Sequence, residues 1–186
     1  MRPLVLYLRS RHVPLALPGA LLAVVAVAMT SAGTPDPQRQ VITACLAVAT
    51  GLAVLGQGFG GVSPELDRTA AVRWPPLRTA HAGVAAALVG GVAIVVSTAP
   101  AGVVLRAALG FAGLTALAAA LFGRQLAWTL PVAWALPGVV VPPMSEPLVV
   151  AVLTWPVQPQ DSIPALLTAA VAGIGGLAVY AAKGTR

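Results

Sequence analysis

The chain has 186 residues, of which 58% are hydrophobic, 9% charged and 5% aromatic, and its mean hydropathy is +0.90. A soluble domain carries about 25% charged residues, so this composition excludes an ordinary water-soluble protein and predicts a membrane protein. The formal net charge is +6. Because the basic residues stand singly between long apolar runs, we interpret them as topology signals and do not expect nucleic-acid binding.

Six apolar stretches are long enough to cross a bilayer as helices, which takes about 20 residues. Glycine and proline residues, such as Pro35 and Pro75, mark the turns between them. The predicted spans are Val13 to Thr30, Gln40 to Gly61, Arg78 to Ser97, Ala101 to Phe122, Gln125 to Val141 and Ile163 to Ala182. The predicted fold is therefore all-α, with residues 1–12 as an interfacial amino-terminal segment and residues 13–186 as a single six-helix transmembrane domain.

The basic residues predict the orientation of these spans, since lysine and arginine are enriched on the cytoplasmic side. A cytoplasmic amino terminus leaves only Arg39 and Arg106 outside. The nine inside residues are Arg2, Arg9, Arg11, Arg68, Arg73, Arg78, Arg124, Lys183 and Arg186. Both termini are therefore expected in the cytoplasm.

The connection between the second and third spans, residues 60–76, has the signals of a short cytoplasmic helix. Ser63 is suited to the N-cap and Pro64 to the first helical position. Two of the five acidic residues, Glu65 and Asp67, complement the positive end of the helix dipole. An apolar stripe at spacings of four is formed by Leu66, Ala70 and Trp74. This helix offers a face to a partner, or it simply connects two spans as a solvated loop helix.

The connection between the last two spans, from Pro142 to Ser162, contains an apolar run from Leu148 to Trp155. Eight residues are too few to cross a bilayer, so this outer segment is expected to be re-entrant or interfacial. Trp155 suits the level of the lipid headgroups. A simple amphipathic lid over the outer helix ends fits the same pattern.

Catalytic chemistry finds little support in the sequence. None of the five carboxylates falls at the centre of a span, and Glu65 and Asp67, two residues apart, point to different helical faces. Two histidines and the single Cys45 are too few for an ordinary metal site. No glycine-rich phosphate loop followed by Lys and Ser or Thr is present. We therefore expect no enzyme activity, no metal site and no cofactor bound by this chain.

Polar and small residues inside the spans are the remaining candidates. Arg106 lies one turn into the fourth span, and its favoured interpretation is snorkelling to the headgroups. Residues that could line a pathway are Gln57, Gln125, Trp128 and Trp134, with Glu146 and Trp155 in the outer segment. Rows of small residues spaced by four are expected to form packing faces. These rows are Ala82, Ala86 and Gly90; Ala108, Ala112, Ala116 and Ala120; and Gly56 with Gly60.

The order of these elements resembles the membrane subunit of type-two ATP-binding-cassette exporters, across nearly the whole chain. The family's coupling helix corresponds to Ser63 to Trp74, and its interfacial connecting helix corresponds to Arg2 to His12. Its outer re-entrant element corresponds to Leu148 to Trp155. The resemblance rests on architecture, and the chain is shorter than most such subunits. The dominance of alanine, valine, leucine and arginine is typical of a GC-rich bacterial genome, such as an actinobacterial one.

The resemblance implies a permease subunit in a bacterial cell membrane, paired with a second copy or a paralogue and exporting a hydrophobic or amphipathic substrate. ATP and Mg²⁺ would be bound by a separate ATP-binding subunit that docks on the coupling helix. The residues assigned to this coupling are Glu65, Leu66, Asp67, Arg68, Arg73 and Trp74. The alternative is a non-transporting accessory or scaffold subunit of another membrane complex.

Overall fold

A computed structural model describes residues 13–60 and 74–185, and all the regular secondary structure in these two ranges is helical. The α-helices are α1 (Val13–Met29), α2 (Pro37–Gly56), α3 (Trp74–Val96), α4 (Ala101–Phe122), α5 (Thr129–Ala135), α6 (Pro137–Val140), α7 (Leu148–Leu153) and α8 (Ile163–Lys183). Short 3₁₀ turns cover Gln57–Phe59, Arg124–Leu126 and Trp155–Val157. The predicted interfacial segment of residues 1–12 and the predicted coupling helix up to Arg73 lie outside the described residues.

Four of the described helices are long and apolar enough to cross a membrane, as expected for a multi-pass membrane protein. They cover Pro37–Phe59, Pro75–Val96, Ala101–Phe122 and Ile163–Lys183. The first helix, α1, is apolar but has only 17 residues. Local signals explain where the helices begin: Asp36 caps α2 by accepting a hydrogen bond from the Gln38 backbone at 2.9 Å, and Pro37 occupies the first turn.

The predicted fifth span, Gln125 to Val141, is not one continuous helix. It is divided into the 3₁₀ turn at Arg124–Leu126, the helix α5 and the four-residue helix α6. Pro137 accounts for the division after α5, because proline has no N–H to donate and its ring clashes with the preceding helical turn. Gln125, near the start of the segment, lines a cleft together with Leu15, and Gly138, near its end, packs against Val157.

The two ends of the bundle carry different charges. At the first, called the basic end, lie Arg78, Arg124 and Lys183; Arg78 donates to the Ala181 carbonyl, and the stem of Arg124 packs on Gly60. At the opposite end, called the acidic end, lie all three described carboxylates, together with Arg39 and Arg106. These carboxylates are Asp36, Glu146 and Asp161.

Helix α4 occupies the centre of the bundle. Of the 18 residues that form its most apolar stretch, 83% are buried inside the protein. The corresponding share is 28% for α3 and for α8. The sequence-predicted small-residue row of α4 is buried, and a Cβ placed on Gly90 of α3 would lie 3.0 Å from the Cβ of Ala108. These rows therefore serve as internal packing faces, where small side chains let helix backbones approach closely.

The closest helix contact joins α4 to α8 through three glycines. A Cβ atom added to Gly113 would overlap the carbonyl oxygen of Ala172 and lie 2.6 Å from the carbonyl oxygen of Gly173. A Cβ atom added to Gly176 would overlap the carbonyl oxygen of Gly113. Because backbone atoms occupy this space, no side-chain movement can make room for a larger residue. The neighbouring Gly175 has nothing within 4 Å of its Cβ position.

We expect Gly176→Ala to destabilise the protein by about 1 to 3 kcal/mol, since overpacking a rigid contact forces the helices apart. Gly175→Ala, one residue away on the same helix, is the matched control and should be neutral or slightly stabilising, because alanine favours helix over glycine. Thermal unfolding of both variants in detergent, followed by tryptophan fluorescence, measures the difference. Equal melting temperatures would contradict the assigned α4–α8 contact.

Candidate functional site

The outer segment folds back into the acidic end of the bundle. After the short helix α7 the chain enters a buried turn, residues 154–158, in which every residue is buried. The Trp155 side chain is 0% exposed, and its ring packs on that of Phe111 with a centroid distance of 5.2 Å. Gly110 makes the room, because a Cβ there would overlap the indole ring. Trp155 is therefore an interior anchor, with its ring packed inside the protein.

Arg106 holds this buried turn in place. Its side chain is only 5% exposed and donates hydrogen bonds to three backbone carbonyls: that of Pro159 at 2.8 Å, that of Pro156 at 3.4 Å, and that of Gln158. Nε of Arg106 is buried without a partner. The snorkelling interpretation is therefore wrong for this arginine. Its guanidinium adds charged donors to carbonyl groups in and just after the 3₁₀ turn. The Pro159 carbonyl also accepts from the Ser162 N–H at 3.2 Å.

Other polar side chains complete the network around the turn. The Gln158 side-chain amide donates to the Met144 carbonyl at 2.9 Å and to the Thr154 hydroxyl at 2.8 Å. The buried Cys45 thiol of α2 donates to the Pro156 carbonyl at 3.1 Å. Since these contacts join α2, α4 and the chain before α7, they tie the buried turn to three separate parts of the protein.

A cleft of about 540 Å³ opens at the basic end. Its apolar wall comes from α1 and the end of α2, and its polar side comes from the two turns that follow α2 and α4. The lining residues are Leu15, Ala16, Val54, Gln57, Gly58, Arg124 and Gln125. The structure thus brings together Gln57 and Gln125, two of the residues predicted to line a pathway, and adds the guanidinium of Arg124.

The other predicted residues are distributed over the molecule. Trp128 is exposed, whereas Trp134 is partly buried with its indole N–H lacking a partner. Glu146 is exposed at the acidic end and does not line the cleft. Trp74 is the first residue of α3. The remaining coupling residues, Glu65, Leu66, Asp67, Arg68 and Arg73, lie outside the described residues.

Sequence reasoning missed the part of α4 that receives the buried turn. Gly102, Arg106 and Gly110 are spaced by four and therefore share one helical face. A Cβ on Gly102 would lie 2.6 Å from the side-chain Cδ of Gln160, so both glycines accommodate the chain that Arg106 binds. Two glycines, each four residues from an intramembrane arginine, are the signal that could have indicated this docking face.

Within residues 13–60 and 74–185, no group of three or more histidine, cysteine, aspartate or glutamate side chains could hold a metal ion. The described residues form a buried, hydrogen-bonded turn at the acidic end and an amphipathic cleft at the basic end. In the comparisons with known proteins, no family model, no curated protein and no solved structure matches this chain.

We expect Arg106→Gln to expose Cys45, the only cysteine of the chain. Hydrogen bonds from a charged group contribute about 1.5 to 3 kcal/mol, so losing them should raise the fraction of molecules with an open turn about tenfold to a hundredfold. The rate of Cys45 modification by a small methanethiosulfonate reagent measures this fraction. Arg39→Gln, which removes an exposed charge at the same end, is the control. Equal rates in both variants would refute the role of Arg106.

Proposed function

We propose that the chain is the transmembrane permease subunit of a bacterial ATP-driven exporter for a hydrophobic or amphipathic substrate. A separate subunit binds ATP and Mg²⁺, and a second copy or a paralogue completes the pathway. The observation that carries the proposal is the asymmetry of the bundle. At the acidic end a buried turn is hydrogen-bonded to Arg106, whereas a cleft lies at the basic end. A transporter that alternates between inward- and outward-facing states needs two ends that open separately.

Six crossings of the bilayer belong to the proposal. In this proposal, α1 and residues 124–141 supply the two crossings besides those of the four long helices. The basic end would face the cytoplasm, since positively charged residues are enriched there. Both termini are then cytoplasmic, and the acidic end with its buried turn faces outward.

The basic end also supports the proposed coupling to an ATPase. The proposed coupling segment leads from the 3₁₀ turn after α2 to the start of α3. The ring of Phe59, in that turn, lies 5.7 Å from the ring of His81 in α3. The ring of Phe59 also stacks on that of Tyr180 in α8, with a centroid distance of 5.4 Å. The Tyr180 hydroxyl donates a hydrogen bond to the backbone carbonyl of Phe59. A displacement of the segment would therefore be transmitted to α2, α3 and α8 together.

One observation favours the accessory or scaffold function instead. Gly83, Ala87 and Gly91 are exposed at spacings of four on α3, and the two glycines have nothing within 4 Å of their Cβ positions. A face of this kind allows another transmembrane helix to approach closely. The identity of the co-purifying subunit separates the two functions, because only the exporter requires an ATPase.

We expect the tagged protein, purified from its native membrane in a mild detergent, to retain an ATPase that mass spectrometry identifies by its nucleotide-binding motifs. The double variant Glu65→Lys/Arg68→Glu should lose most of this ATPase, by about fivefold or more, because reversed charges disrupt a complementary interface. It should also uncouple ATP hydrolysis from export without unfolding the protein.

The double variant Asp36→Lys/Arg39→Glu, with the same type of charge reversal on exposed residues at the acidic end, is the matched control and should retain the ATPase. Absence of an ATPase from the wild-type preparation, or normal export by the Glu65/Arg68 variant, would overturn the exporter proposal. Consistent recovery of a different membrane complex would favour the accessory function.

A further inference from the structure

We infer that the cleft at the basic end binds the headgroup of an anionic phospholipid. This inference does not depend on the exporter proposal, because lipid binding requires neither an ATPase nor a transported substrate. It rests on three properties of the cleft: its amphipathic lining, the guanidinium of Arg124, and its position at the ends of membrane-length helices.

The lining matches a molecule with an apolar and a polar part. Leu15, Ala16 and Val54 form an apolar wall on one side. Gln57, Arg124 and Gln125 supply amide and guanidinium N–H groups on the other. A volume of about 540 Å³ lies well within the range of ligand pockets, about 300 to 1,000 Å³. The cleft therefore has room for a glycerophosphate headgroup beside the first part of its acyl chains.

The charge of Arg124 selects an anion. All three described carboxylates lie at the acidic end, so none of them neutralises this guanidinium. The stem of Arg124 is held in position, since a Cβ on Gly60 would lie 2.9 Å from the Arg124 Cβ and 3.2 Å from its Cδ. A guanidinium with a fixed stem binds phosphate oxygens through two parallel hydrogen bonds, and the charge makes these bonds stronger than neutral ones.

The position of the cleft favours a lipid over a free phosphate ion. The apolar span that begins with α2 ends at Phe59, and α4 ends at Phe122, two residues before Arg124. The polar side of the cleft thus lies where the apolar helices end, which is the level of the headgroups. A phosphate ion would leave the apolar wall of Leu15 and Val54 in contact with water, whereas the acyl chains of a lipid cover it.

Native mass spectrometry of the delipidated full-length protein in detergent tests the inference, with phosphatidylglycerol and phosphatidylcholine of identical acyl chains as probes. We expect the wild-type protein to bind phosphatidylglycerol at least fivefold more tightly, about the effect of one basic residue near an anionic lipid. Arg124→Gln should abolish this preference. Gln125→Glu, which places a carboxylate beside Arg124 and keeps its stem, should weaken it similarly and replaces Arg124→Gln if that variant does not fold.

Arg39→Gln is the matched control, because it removes an exposed guanidinium at the opposite end and should leave the preference for phosphatidylglycerol unchanged. Equal binding of the two lipids by the wild-type protein would overturn the inference. An equal loss of preference in Arg39→Gln and Arg124→Gln would do the same, since it would indicate a general charge effect. Inorganic phosphate that displaces phosphatidylglycerol at equal concentration would show an anion site without a lipid specificity, and would also overturn it.

Discussion

The central position of α4 is the constraint on which the rest of the structure depends. A helix that is covered on nearly every side leaves little room for side chains, so its neighbours can approach only where its residues are small. Gly113 meets the α8 backbone directly, Ala108 meets Gly90 of α3, and Gly110 receives the ring of Trp155. In an apolar environment, where burial of hydrocarbon provides little driving force, such close contacts are a main source of helix association.

Arg106 is the one charged residue on this crowded helix, and its burial follows from the fold of the outer segment. A turn that enters an apolar environment brings carbonyl groups outside α-helical pairing, and a carbonyl left without any donor there costs several kcal/mol. The guanidinium donates to three carbonyls of this region, of which that of Pro159 also accepts from the Ser162 N–H and that of Pro156 from the Cys45 thiol. In return, the carbonyl dipoles stabilise a buried positive charge, which is costly without partners. The arginine and the turn therefore depend on each other.

The same geometry makes the two ends of the protein different. At the acidic end, hydrogen bonds from Cys45, Arg106 and Gln158 connect elements that are distant in sequence and keep the turn closed. At the basic end, residues of α1, of α2 and of the turns that follow α2 and α4 line a cleft. Opening the acidic end would break several buried hydrogen bonds together. The basic end combines a cleft with a buried contact in which the Tyr180 hydroxyl donates to the Phe59 carbonyl. These different contacts are the basis for proposing separate roles for the two ends.

The sequence by itself determined the helical membrane character and most helix limits, because apolar length and turn residues act locally. The fourth span was predicted as Ala101 to Phe122, the same limits as α4. The fifth span was predicted from its apolar length as Gln125 to Val141, and the structure divides that segment, which contains Pro131 and Pro137. Only the tertiary structure decided that Arg106 binds a turn 50 residues or more away, and that Gln57 meets Arg124 and Gln125. Such partners depend on which helices lie side by side, and no local pattern of residues specifies that arrangement.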